Sequence, residues 1–200
     1  MIKGILFDFD GTLTLPGALD FPAIKRLLGC PLDHPILEFI AKEPSHRQPR
    51  LVRLLEEQED LAAELSLPNR GAEACLQVLK ERQVPLGIHS RSRLKPIRMV
   101  LKRFEGVSIK DFRVVITREM SLPKPHPEGV IRAAAGMGIS CEELMVVGDF
   151  SFDVIAAKRA GALAVLLTNG GPSVMALEDP QPDYAITHLE ELPHLLLQHS

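Results

Sequence analysis

An α/β fold with a mainly parallel sheet is the class this chain predicts, and three observations carry the prediction. Short apolar runs recur along the 200 residues, and each stops at a polar or glycine-rich junction. Helical patterns lie between the runs, so strands alternate with helices, which means βαβ units and parallel neighbours. One stretch, residues 16–68, breaks the rhythm and holds no convincing strand. Composition agrees: 46% apolar and 24% charged residues exclude a disordered chain, a collagen and a disulfide scaffold. A chain of this length buries roughly 70% of its unfolded surface and needs no metal or bridge to fold.

The first strand is expected over residues 2–7, apolar without interruption, as a strand covered on both faces should be. It ends at Asp8-Phe9-Asp10-Gly11-Thr12. Further strands are expected at 84–88, before His89-Ser90; at 112–116, before Thr117; at 144–147, before Gly148-Asp149; at 162–167; and at 184–187. Helices are expected over 71–82, with Ala74, Cys75, Val78 and Leu79 on one face, over 94–104, and over 127–137, where Pro127 opens and Gly138 closes the pattern. Within residues 16–68, Asp33-His34-Pro35 reads as a helix start. Residues 45–65 carry leucines at helical spacing, with Ser45 and Gln48 matching a capping box. Pro16-Gly17 and Leu67-Pro68-Asn69 read as hinges. The expectation is a core of residues 1–15 and 69–200, with 16–68 a small helical insert after the first strand.

Polar residues gather just past the strands, and in an open α/β sheet ligands bind outside the strands' carboxyl ends. Asp8 and Asp10, two apart after a strand with Gly11 to permit the turn, can both approach one site. One carboxylate can attack phosphorus to form an acyl-phosphate, and the other can protonate the leaving oxygen and then activate water. The competing reading is a polar strand-to-loop junction. Asp149 and Asp153 sit one helical turn apart after the fourth strand. Asp8 and Asp149 suit Mg²⁺, a hard cation that takes a few carboxylates plus water and phosphate, and Asp153 could orient the site. Capping of the following helix is the alternative role for both late acids. Ser90, at the head of a helix, can hold phosphate oxygens or serve as a plain cap, a role for which Ser92 competes. Lys124, in a loop stiffened by three prolines, can neutralise crowded anions.

In their order and spacing these residues resemble the haloacid dehalogenase superfamily of aspartate-nucleophile phosphatases, nearest its phosphoglycolate phosphatase-like branch. Asp8-Phe9-Asp10-Gly11-Thr12 matches the first motif, Ser90 the second, Lys124 the third, and Gly148-Asp149 with Asp153 the fourth. The resemblance spans residues 1–14 and 69–190 and implies a Rossmann-like core, helices on both faces of the sheet, and a mobile helical cap. It implies Mg²⁺ held by Asp8, Asp149 and the Asp10 carbonyl, with Asp8 the nucleophile and Asp10 the general acid/base. It also implies Ser90 and Lys124 on the phosphate, with Asp153, Thr12 and Gly11 in support. Two positions depart from the pattern: Arg91 follows Ser90, and Phe150 follows Asp149.

The leading expectation is thus a Mg²⁺-dependent phosphatase for a small, phosphoglycolate-like phosphorylated metabolite. A phosphomutase, a phosphonate hydrolase, a dehalogenase, or a non-catalytic binding protein on the same fold are the alternatives. Arg91 and the insert's Arg47 and Arg50 are candidates for substrate selection, with pairing to Glu56, Glu57 and Glu59 the competing role for the insert's cations. A net charge of −3 suggests neither a nucleic-acid nor a membrane partner. No apolar run reaches the roughly 20 residues of a bilayer span, and the opening apolar stretch is too short for a leader. Three widely spaced cysteines, Cys30, Cys75 and Cys141, fit reduced thiols and a cytoplasmic setting.

Overall fold

A computed structural model describes residues 1–199. Its strands are β1 (Gly4–Phe7), β2 (Leu86–His89), β3 (Val114–Ile116), β4 (Leu144–Gly148), β5 (Leu163–Leu167) and β6 (Tyr184–Ile186). Among the described residues they form one parallel sheet in the order β3-β2-β1-β4-β5-β6. The helices are α1 (Phe21–Leu28), α2 (Ile36–Lys42), α3 (Gln48–Leu65), α4 (Ala72–Glu81), α5 (Leu94–Leu101), α6 (Glu128–Met137), α7 (Ser151–Ala160) and α8 (Leu192–Leu197).

The period-two geometry of a strand divides β1 between two cores. Ile5 and Phe7 join Leu76 and Leu79 of α4, Ile97 of α5 and Leu192 of α8 on one face. Leu6 meets Val130 and Ala133 of α6 and Ala157 of α7 on the other. Every residue of β1 and of β4 is buried, which explains their unbroken apolar runs. The strand order reverses at β1, whose register pairs Ile5 with Leu86 on one side and Phe7 with Val147 on the other. The crevice above that reversal is where an open sheet of this kind takes ligands.

Residues 16–68 leave the core after Thr14 and return at Pro68, and these two residues form an antiparallel bridge. Two further bonds close the crossing, Leu15 N–H to Leu67 carbonyl at 2.9 Å and Asn69 N–H to Leu13 carbonyl at 2.8 Å. Between the crossings, α1, α2 and α3 bury their own cluster, including Ile24, Leu28, Ile36, Ile40, Leu51 and Leu55. Helix α1 was not among the expected elements. Asp20 caps it by accepting from Ala23 N–H at 2.9 Å, and Gly29 at φ 70° ends it. The long helix starts later than expected, at Gln48. The Ser45 capping box does not form, because the Gln48 amide donates instead to the Glu43 carbonyl at 2.8 Å.

Candidate active site

The turn after β1 is built around Gly11. Asp10 keeps an extended backbone (φ −80°, ψ 113°), and Gly11 then reverses the chain at φ 89°. A Cβ at Gly11 would lie 2.3 Å from Asp149 Oδ2, so the glycine gives room as well as rotation. Thr12 Oγ1 donates to Asp149 Oδ1 at 2.9 Å and ties this turn to the end of β4. Two asparagines that the sequence does not mark as site residues hold the turn from outside. Asn69 donates to the Thr12 carbonyl at 2.8 Å, and Asn169 donates to the Gly11 carbonyl at 2.9 Å.

Lys124 is the centre of the buried charge. It is 3% exposed, and its ammonium donates to Asp8 Oδ1 at 2.5 Å, Asp153 Oδ1 at 2.6 Å and the His89 carbonyl at 2.9 Å. Neighbouring Asp153 and Asp8 outweigh burial and hold the lysine protonated well above its ordinary range. Asp153 also accepts from Phe150 N–H at 3.2 Å, so it caps α7 while holding the lysine. Gly148 makes this possible, since a Cβ there would stand 2.2 Å from Asp153 Cγ.

One carboxylate oxygen from each of Asp8, Asp149 and Asp153 lies within 4.8 Å of the others. Burial, then the charge on Asp8, raises Asp149; burial also raises Asp153, against the pull of Lys124. Three crowded carboxylates facing one ammonium form an all-oxygen donor set with surplus negative charge. That chemistry fits a hard divalent cation.

Asp10 points at a different partner set. Ser92 Oγ donates to its Oδ2 at 2.8 Å, and Ser90 Oγ lies 3.4 Å from the same oxygen. Burial, then the adjacent Asp8 charge, pushes the Asp10 carboxyl up to about 6. Neither serine caps α5, whose first free N–H, on Leu94, is met by Glu119 at 3.3 Å. Ser90 Oγ instead accepts from Ser92 N–H at 2.9 Å.

A cavity of about 780 Å³ opens over these groups, and both the sheet edge and the insert line it. Asp8, Asp10, Gly11, Ser90, Arg91, Lys124, Asp149 and Asp153 all reach it. Arg47 and Arg50 do not. Both are exposed on the far part of the insert, where Arg47 pairs with Glu43 at 2.6 Å. Arg91 lies over the Phe152 ring at 5.1 Å and pairs with Glu38 of α2 at 2.6 Å. Glu59 of α3, unremarked as a site residue in the sequence, is buried between Arg118 and Arg93. Burial raises its carboxyl even so.

A family model for haloacid dehalogenase-like hydrolases matches residues 2–161. A phosphoglycolate phosphatase of Shigella boydii is 33% identical, with 100% of this chain and 94% of that protein covered. A hydrolase of Saccharomyces cerevisiae is 29% identical over 98% of this chain and 91% of its own length. Among solved structures, a HAD-superfamily hydrolase from Geobacter sulfurreducens is 27% identical at a TM-score of 0.67, covering 98% and 100% of the two chains. A hydrolase from Pseudomonas syringae has the same fold at a TM-score of 0.79 and 21% identity over 98% of each chain.

Proposed function

Because the chain belongs to the haloacid dehalogenase-like hydrolases, we propose that it is a Mg²⁺-dependent phosphatase of a small phosphorylated metabolite. The observation that carries the reading is the convergence of Asp8, Asp10, Lys124 and Asp149 on one cavity at the sheet's carboxyl edge.

In this reading an Asp8 carboxylate oxygen attacks phosphorus and the ester oxygen departs with the bonding pair. Asp10 donates its proton to that oxygen, and the leaving group is released as an alcohol. Water then attacks the phosphorus of the aspartyl-phosphate while Asp10 takes one of its protons. The P–O bond to Asp8 breaks, which restores both side chains and frees inorganic phosphate. A carboxyl raised to about 6 suits the double role, since it gives up and regains a proton near neutral pH. Lys124 and Ser90 hold phosphoryl oxygens, and Asp153 positions the lysine. Asp8, Asp149 and the Asp10 carbonyl would hold Mg²⁺, which when bound would supply positive charge between the two anions. Most of the acceleration comes from positioning and charge on the phosphoryl oxygens.

Residues 16–68 form the cap over a core of residues 1–15 and 69–200, of which Ser200 lies outside the described residues. Their separate apolar cluster and their single narrow crossing support that division. A cytoplasmic site of action belongs to the same proposal. Its support is that Cys30, Cys75 and Cys141 are all unpaired.

Phosphate release from a panel of phosphorylated metabolites with Mg²⁺ tests the reading. Asp8→Asn is expected to abolish release while the circular dichroism spectrum stays that of the wild type. Turnover within tenfold of wild type, with deamidation excluded by mass, would refute the nucleophile.

A further inference from the structure

We propose that the esters this site hydrolyses carry an uncharged, largely apolar leaving group, not a short carboxylate such as that of phosphoglycolate. The inference rests on the phosphatase reading above and adds the chemistry of the substrate's other half.

Three of the four cations lining the cavity are already paired with carboxylates. Arg91 is held by Glu38 at 2.6 Å and donates as well to the Lys124 carbonyl. Arg118 donates to Glu59 and to the Arg91 carbonyl. Its Nη2 is buried without a hydrogen-bond partner, with Glu56 Oε1 at 3.9 Å. Lys124 serves Asp8 and Asp153. Lys25, at the rim, donates to the Leu32 carbonyl at 2.6 Å and has Asp33 as an electrostatic neighbour. Against these four cations stand six lining carboxylates, those of Asp8, Asp10, Asp33, Glu59, Asp149 and Asp153. Lys25 at the rim apart, a carboxylate on the leaving group finds no lining cation outside an ion pair. It would have to break an arginine pair that is partly withdrawn from water.

The apolar lining points the same way. Leu15 is 42% exposed, Phe21 50%, Leu32 61% and Phe150 48%. Scattered singly, exposed apolar side chains need no explanation. These four come from four separate segments and line one cavity, together with the buried Ile36 and Leu55. A concentration of exposed apolar surface that opens onto polar catalytic groups is the build of a ligand pocket. The Phe150 ring meets Phe152 edge-on at 5.1 Å.

The test compares n-butyl, n-hexyl and n-octyl phosphate with 6-phosphonooxyhexanoate, the carboxylated relative of the hexyl ester, by phosphate release with Mg²⁺. The expected kcat/KM rises about fourfold for each methylene buried. The carboxylated ester is expected to be at least about 30-fold poorer than the hexyl ester, the cost of disturbing a matched charge pair. Glu38→Gln frees Arg91 and is expected to narrow that gap. A rate independent of chain length, a carboxylated ester hydrolysed as well as the hexyl ester, or a gap unchanged in Glu38→Gln would overturn the proposal. No phosphate release even from p-nitrophenyl phosphate would refute the phosphatase reading instead. Calorimetric binding of the hexyl and carboxylated esters to Asp8→Asn then decides the present inference. Tighter hexyl binding supports it, and equal or tighter carboxylate binding overturns it.

Discussion

Replacing Lys124 by methionine keeps most of the side chain's volume and removes its charge. The ammonium makes three bonds, to Asp8, Asp153 and the His89 carbonyl, at 2.5 to 2.9 Å in a 3% exposed position. Without it, Asp8 loses its cation, and Asp153 keeps only Phe150 N–H at 3.2 Å. Breaking a buried ion group from one side costs about 3 to 5 kcal/mol, because the orphaned charges stay buried. That is the loss of unfolding free energy expected at pH 8 in EDTA. At pH 5 the cost should fall to roughly half or less, because protons can replace the lysine. The carboxyls of Asp149 and Asp153 are already raised, and losing a cation raises them further. Saturating Mg²⁺ at pH 8 should also restore more stability to the variant than to the wild type, since ligands that bind only the folded state stabilise it. Urea unfolding followed by far-ultraviolet circular dichroism at both pH values, with EDTA or Mg²⁺, measures all three quantities. A loss below about 1 kcal/mol at pH 8, or an equal loss at both pH values, would refute the claim that Lys124 neutralises this carboxylate group.

Asp10→Asn should lower kcat for an alkyl phosphate by about 10² to 10⁴, and by much less for the first step with p-nitrophenyl phosphate, whose leaving group needs little protonation. Rapid-quench kinetics on the two esters separates these effects, and equal losses would count against Asp10 as the acid. In EDTA, the wild type's melting temperature should fall as pH rises. Asp10 and Asp149 are raised by folding from an ordinary 3.8 to about 6 and about 8, so the stability tied to their protonated forms is complete below 3.8 and is lost as pH climbs through those higher values. Thermal melts from pH 4 to 8.5 check this, and a rising or flat profile contradicts it. Gly129→Ala would put a Cβ 2.1 Å from His89 Nε2, on the residue whose carbonyl holds Lys124. Overpacking of this kind costs about 1 to 3 kcal/mol, and activity should fall with it. Wild-type stability in that variant would show that His89 can move freely.

Much of this was legible before any coordinates, for physical reasons that also mark where legibility stops. The parallel sheet announces itself because both its faces are covered, so β1 and β4 read as unbroken apolar runs. Asp8, Ser90, Lys124 and Asp149 are visible because each follows a strand or precedes a helix in one stereotyped order. Ser92, Asn69, Asn169 and Glu59 carry no such marker. Each acts through a contact between distant segments, and in the sequence each is an ordinary cap, loop or surface residue. Helix α1 is hidden by its length, two turns between a proline-glycine pair and a proline. The insert's arginines mislead for the opposite reason. Arg47 and Arg50 head the long helix that crosses the cavity, but the helix reaches the site through its later turns, at Leu55 and Glu59.

The central place of β1 in the sheet has a consequence for how the chain is made. Its pairing partners, Leu86 and Leu144, are synthesised long after it. At ribosomal rates of about 5 to 20 residues per second, the strand waits roughly 7 to 30 s between its own emergence and that of β4. During that interval Gly4–Phe7, fully buried in the finished protein, lacks a neighbouring strand on at least one side. Such distant pairings put the chain among slowly folding topologies. Ile5, Leu6 and Phe7 are therefore the residues whose exposure on the nascent chain a holding chaperone would have to mask.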